Sequence, residues 1–255
     1  MKKRVKQWLE EGVVDLFLGY RQVMGHPLPY CFDKEGLDAL DDLVDGPARY
    51  SLEKMATHIA AADPEVRIGM LARDCNQRAL NVLQIWNQLD ADKIETIGVN
   101  CCPSNLKSHG DCSYLAPEAP AEVKQELGVE KRQSLDELER MAPSERLSRW
   151  MYEFQKCIKC YGCRNICPVC FCKECSLEHG DLIGKGSLPP EAPIFHLVRA
   201  VHMAGRCIDC GLCEDACPAE IPLRLLYGKV NAIVKEVFDY ETGSDEERSP
   251  FSILG

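Results

Sequence analysis

Two cysteine runs carry chemistry. The first is Cys157-Ile-Lys-Cys160-Tyr-Gly-Cys163-Arg-Asn-Ile-Cys167-Pro168, and the second is Cys207-Ile-Asp-Cys210-Gly-Leu-Cys213-Glu-Asp-Ala-Cys217-Pro218. Both read C-x2-C-x2-C-x3-C-P, the bacterial-ferredoxin spacing for a 4Fe–4S cluster. Three thiolates two residues apart can wrap one face of a cube from a tight loop. The fourth lies too far along to close the same cube, and in two-cluster proteins it ligates the other one. The expected sets are therefore Cys157, Cys160, Cys163 and Cys217 for one cluster, and Cys207, Cys210, Cys213 and Cys167 for the other. Zinc and disulfides are the competing chemistries. A zinc site uses two CxxC pairs and has no need of a third cysteine at this spacing.

A second group of thiols lies upstream. Val66 to Leu71 reads as a buried strand, residues 75–89 as a helix, and Ile94 to Val99 as the next strand. Strand, helix, strand at this length is a βαβ unit with parallel strands, and ligands gather beyond the carboxyl ends of such strands. Cys75 and the pair Cys101-Cys102 follow those strand ends, and Cys112 lies on a loop ten residues on. Cys75 also opens a helix, where free N–H groups favour a thiolate. Cys75, Cys101, Cys102 and Cys112 are the candidate ligands of a third metal site, set against the ordinary fate of free cysteine as a small buried hydrophobe. Neighbouring side chains diverge, so one of Cys101 and Cys102, or Cys31 in its place, would be the ligand. A further trio, Cys170, Cys172 and Cys175, sits just past the first motif. It reads either as another metal site, with His179 or a distant cysteine as fourth ligand, or as oxidisable thiols.

The elements that position these groups can be read around them. Residues 2–11 form a helix with Val5, Trp8 and Leu9 on one face, stopped by Gly12. Val13 to Tyr20 is a strand, and residues 21–34, with Gly25, Pro27 and Pro29, are loop. Short helices follow at 36–44 and 51–62, the second capped by Ser51. Residues 115–142 are a surface linker. A helix from Pro143 to Lys156, with Leu147, Trp150, Met151 and Phe154 inward, enters the first cysteine loop. Another runs from Pro193 to Ala204, bearing His196 and His202, which are expected to hydrogen-bond structurally. The last spans Leu223 to Phe238, with Leu223, Leu226, Val230, Ile233 and Val237 inward. The fold class expected is an α/β amino-terminal domain with short parallel strands (1–140), then an α+β two-cluster ferredoxin-like domain with flanking helices (141–240) and an acidic tail (241–255).

Composition narrows the function. Sixteen cysteines without an export signal point to a reducing compartment and metal ligation, hence a cytoplasmic protein. The net charge of −10 is spread over both halves, so neither is a basic nucleic-acid module. No transmembrane run, Ser-His-Asp set or P-loop is present.

The run Ile68-Gly-Met-Leu-Ala-Arg-Asp-Cys-Asn-Gln-Arg-Ala-Leu80, followed by Ile97-Gly-Val-Asn-Cys101, resembles the coenzyme F420 hydrogenase/dehydrogenase β-subunit family. More narrowly, it is similar to members fused to a ferredoxin domain and found beside heterodisulfide-reductase-like, flavin-containing complexes, over roughly residues 10–240. The resemblance implies that Cys75 and Cys101 belong to an iron–sulfur site, and that a flavin takes hydride from the deazaflavin. The chain departs from the family in having no glycine-rich flavin patch and no G-x-G-x-x-G, which counts against flavin and F420 binding. The expectation is an electron-relay subunit with two 4Fe–4S clusters and a candidate third. Its partners would be a heterodisulfide-reductase-like flavoprotein and a dehydrogenase or hydrogenase. The alternatives are a flavin-dependent catalytic subunit oxidising F420 or a nicotinamide, and a redox-sensing scaffold.

Overall fold

The computed structural model describes residues 1–45, 50–99, 135–181, 183–184, 193–244 and 248–251. Helix α1 (Lys2–Glu11) buries Val5, Trp8 and Leu9 and ends at Gly12, whose φ of 67° lets its N–H reach the Trp8 carbonyl. Val13 and Val14 also donate to that carbonyl, so the chain is still closing the helix where a strand was expected to begin. Strand β1 (Leu16–Val23) consequently starts three residues later.

Residues 21–34 are not a loop. Strand β2 (His26–Asp33) pairs antiparallel with β1 through a two-residue turn at Met24-Gly25, both with positive φ. Pro27 and Pro29 had argued against a strand. They sit on alternate residues opposite Gln22 and Tyr20, the positions whose N–H would point away from β1. Strand β2 is the outer strand of the sheet, so the missing donors cost no ladder bond. Cys31 lies on this strand, opposite Leu18.

A 3₁₀ turn (Leu37–Asp42) and strand β3 (Leu43–Val44) replace the helix expected at 36–44. Helix α2 (Leu52–Ala62) is capped as expected, with Ser51 Oγ accepting from the Lys54 N–H at 3.3 Å. Strand β4 (Ile68–Ala72), helix α3 (Asp74–Ile85) and strand β5 (Ile94–Gly98) form the βαβ unit. Strand β4 runs parallel to both β1 and β5, giving the order β2-β1-β4-β5 with β3 also on β1. The sheet is therefore mixed, its parallel part flanked by a hairpin. Gly69 faces Phe17 across the ladder, and a Cβ there would lie 2.6 Å from the ring. The glycine lets that ring fill the core.

The described remainder is helical: α4 (Leu135–Arg140), α5 (Pro143–Gln155), α6 (Gly162–Asn165), α7 (Ile194–His202), α8 (Leu212–Asp215) and α9 (Leu223–Phe238). Among the described residues this half has no strand, and helices and loops stand where an α+β domain was expected. Helix α5 turns Phe154 inward but leaves Leu147 60% exposed. On α9 the buried stripe steps from Tyr227 to Val234, leaving Ile233 and Val237 outside. One contiguous core runs from Val5 through the sheet to Cys163, Cys167 and Tyr227. No helix among the described residues is long and apolar enough to cross a membrane.

Candidate metal centres

The two cysteine loops are built alike. Lys159 and Asp209, each two residues past the first cysteine of its motif, have φ of 52° and 54°. Tyr161 and Gly211, just past the second, have φ of 57° and 78°. Left-handed residues at these points turn successive N–H groups toward sulfur, a nest suited to negative charge. Lys159 N–H and Gly162 N–H each donate to a thiol, Cys157 Sγ and Cys160 Sγ, at 3.4 Å. Asp209 and Leu212 supply the matching backbone bonds to Cys207 and Cys210. Each loop then enters a single helical turn, α6 or α8. Apart from Gly211, these conformations fall on side-chain-bearing residues, and nothing in the spacing marks them.

Each loop is tied down from outside. Arg224 donates to both carboxylate oxygens of Asp209, at 2.7 and 3.0 Å, and its own N–H reaches Glu214. Asn231 holds the Cys207 carbonyl at 2.9 Å. Tyr161 donates to the Leu177 carbonyl. The βαβ half reaches across as well. Lys54 on α2 donates to the Arg164 and Asn165 carbonyls at the end of α6, and Arg78 on α3 donates to the Ile208 carbonyl within the second motif.

Two cavities result. One is lined by Cys157, Cys160, Cys163 and Cys217, together with His196. The other is lined by Cys167, Cys207, Cys210 and Cys213, together with Arg199 and Tyr227. Each contains three thiols of one motif and the last thiol of the other. The electrostatic neighbours divide the same way. Cys163 feels Cys157, Cys160 and Cys217, while Cys207, Cys210 and Cys213 each feel Cys167. Among the described residues, no three His, Cys, Asp or Glu side chains are gathered as tightly as a single metal ion requires.

Burial pushes the thiols up, Cys163 to about 11 and Cys207 to about 12, with Cys210 and Cys213 well above the ordinary thiol value. Bare thiolates are costly here, and an iron-containing core would reverse that, since a coordinating thiol is deprotonated outright. Four sulfur donors per cavity, with N–H groups aimed at sulfur, fit a 4Fe–4S group. Cys207, Cys210 and Cys213 are part-buried and line their cavity. Cys160 is exposed, so the first cavity opens outward.

Arg199 lies between the two cavities. It is 3% exposed, lines the second, and donates from Nη2 to the Cys163 carbonyl of the first at 2.8 Å. Burial alone would lower its pKa. Tyr227, Cys167, Cys163 and Cys170 together outweigh that and hold it well above the ordinary value. The thiols contribute to this only when ionised, the state in which they bind metal.

The other thiols are placed differently. Cys75 is half-buried on the first turn of α3, within electrostatic reach of Cys210. Its proposed companions Cys101, Cys102 and Cys112 lie outside the described residues. Cys170, Cys172 and Cys175 line a cleft with Lys54, His58 and Arg206, and each meets an arginine. Arg199 Nη1 is 3.8 Å from Cys170 Sγ, Arg206 Nη1 is 3.7 Å from Cys172 Sγ, and Arg164 bonds the Cys175 thiol. His179, the candidate fourth ligand, is exposed and pairs with Asp181. His196 was expected to hydrogen-bond. Instead both ring nitrogens lack a partner among the described residues, because the ring is stacked on Phe154 at 4.6 Å and edge-on to Phe195. Burial lowers its pKa to about 4, so it is neutral.

A 4Fe–4S binding domain model matches residues 200–222, which contain the second motif; the first lies outside that match. The chain is 43% identical over 113 residues to the F420-dependent formate dehydrogenase subunit beta of Methanocaldococcus jannaschii, covering 44% of this chain and 29% of the relative. It is 44% identical over 104 residues to the F420-dependent formate dehydrogenase 1 subunit beta of Methanococcus maripaludis, covering 41% and 27%. The matched stretches are shorter than the span over which the resemblance was read, and the chain spans under a third of either relative. Over about two-fifths of its length, then, this is a chain similar to β subunits of F420-dependent dehydrogenases, and it carries a 4Fe–4S binding domain.

Proposed function

We propose that the chain is a cytoplasmic electron-relay subunit holding two 4Fe–4S clusters, one in each thiol-lined cavity. The observation that carries this reading is the cross-pairing of the motifs, three thiols from one and the last from the other around each cavity. When bound, such clusters exchange single electrons. The protein's part is to keep the thiols ionised and fixed, to exclude water from the second cavity, and to set the local field through Arg199. The partners that fit are a dehydrogenase, of the formate-oxidising kind named in the relatives, or a hydrogenase on one side. On the other would be a heterodisulfide-reductase-like flavoprotein.

Iron and acid-labile sulfide in anaerobically purified protein should correspond to at least two 4Fe–4S centres. One centre or fewer after full reconstitution would sink the reading. Cys160→Ser should remove one centre and lower stability, because ligation is part of the folded state's free energy. Native mass spectrometry of gently isolated material should find the chain in an assembly.

A second reading is favoured by the cleft lined by Lys54, Arg164, Lys173 and Arg206, cations that outnumber its Glu174 and Glu178 and could hold an anionic cofactor. In it the chain is a flavin-dependent catalytic subunit oxidising F420 or a nicotinamide. Flavin released from acid-denatured protein, together with turnover by the isolated chain, would select this reading over the relay.

A further inference from the structure

Each cavity wall carries one buried polar side chain with nothing to bond. In the first it is His196, 2% exposed, with neither ring nitrogen partnered among the described residues. In the second it is Tyr227, also 2% exposed, its hydroxyl equally unpartnered. A buried donor left unsatisfied is destabilising. The neighbours of His196 would accept a phenylalanine, since it stacks on Phe154 and abuts Phe195, and at Tyr227 the Arg199 guanidinium lies over the ring, 5.8 Å from its centroid, a contact that a phenylalanine ring would keep. Packing alone therefore gives no reason for a polar ring at either place. A neutral imidazole has one N–H and a phenol one O–H, and the thiol-lined space is what each of them borders.

We propose that His196 and Tyr227 are hydrogen-bond donors to sulfur, His196 to the cluster in the Cys157 cavity and Tyr227 to the cluster in the Cys207 cavity, and that they help set the two reduction potentials separately. This rests on the reading that both cavities hold clusters. The added electron puts negative charge on the sulfurs, so a donor to sulfur stabilises the reduced form and raises the potential. The two donors differ in kind, so the two centres are tuned unequally although their ligand spacing is identical.

The experiment is a redox titration followed by electron paramagnetic resonance on the anaerobically purified full chain. Cys160→Ser identifies which signal belongs to the first cavity. Tyr227→Phe should move the midpoint of the second centre to more negative potential and leave the first in place. His196→Phe should do the reverse, and His196→Gln, which keeps an N–H donor, should recover part of the shift. Fully loaded variants with unmoved midpoints, or with both midpoints moving together, overturn this inference and leave the cluster reading intact. Absence of two centres in the unsubstituted chain overturns the cluster reading and this inference with it. If His196→Phe fails to load, electron–nuclear double resonance on protein carrying nitrogen-15 only in histidine decides that half without a variant. A histidine nitrogen coupled to the first centre supports the assignment, and its absence overturns it.

Discussion

Replacing Arg199 with methionine removes a buried positive charge from between the two thiol-lined cavities while keeping most of the side chain's length. Its Nη2 is 2.8 Å from the Cys163 carbonyl, and the guanidinium lines the second cavity. The charge therefore acts on both quartets. At an effective dielectric of 20 and a separation on the order of 8 Å, a unit charge and an added electron attract by about 2 kcal/mol. For a one-electron couple that is roughly 90 mV. Both midpoints should fall by an amount of that order in Arg199→Met, the second centre at least as much as the first. Arg199→Lys keeps the charge but not the fork that spans Cys163 and Cys170, so most of the potential should return and part of the stability should not. The assay is the same potentiometric titration, read only on material with full iron content. A fully loaded Arg199→Met protein with both midpoints unchanged would refute the reasoning. A fall confined to one centre would show that Arg199 is a wall residue of that cavity alone.

Two further predictions concern the half that supports the loops. Glu53 is buried and accepts from Asn76 Nδ2 at 2.6 Å and from Ser51 Oγ, and burial raises its pKa. A carboxyl raised in the folded state contributes stability below its unfolded pKa and loses it as pH rises through the folded one. Glu53→Gln should thus raise the thermal midpoint of the loaded protein more at pH 8 than at pH 5; the opposite order would contradict the account. Ser51→Ala removes the cap of α2 and one bond to Glu53, at a cost of about 1 kcal/mol. Denaturant unfolding that places this variant level with the parent would rule the cap out as a source of stability.

The candidate thiol groups and the scaffold were legible to different degrees, for a physical reason. Thiol spacing along a loop limits which sulfurs can face the same space, so Cys207, Cys210 and Cys213 group by local geometry, whereas the crossing of Cys167 to them was expected from the two-cluster pattern and not from spacing. Strand β2 was hidden because Pro27 and Pro29 are loop signals unless a strand is known to be outermost, and that depends on the whole sheet. Leu147 was misplaced because one apolar residue in the second turn of α5 fits the stripe whether or not anything covers it. The arginines that meet Cys170, Cys172 and Cys175 come from α6, from α7 and from just beyond α7. No local pattern announces them, and only the folded chain brings Arg164, Arg199 and Arg206 to one cleft. His196 and Tyr227 were unreadable as donors for the same reason. A histidine or tyrosine on an amphipathic helix says nothing of what its polar end will face.

The two motifs are nearly twins in sequence, yet their surroundings differ. The first quartet reaches the surface at Cys160 and is braced by Tyr161 and the Leu177 segment. The second lies deep, braced by Arg224 on Asp209, by Arg78 from α3, and with Cys75 within electrostatic reach. Low exposure disfavours the added charge of reduction, while Arg199 favours it at both sites. Two chemically identical clusters placed there would differ in potential. The direction of that difference would set whether an electron rests nearer the open mouth at Cys160 or nearer the βαβ unit. In a relay that inequality would bias where the electron rests, and the elements around the cysteines would create it while leaving the cysteine spacing unchanged.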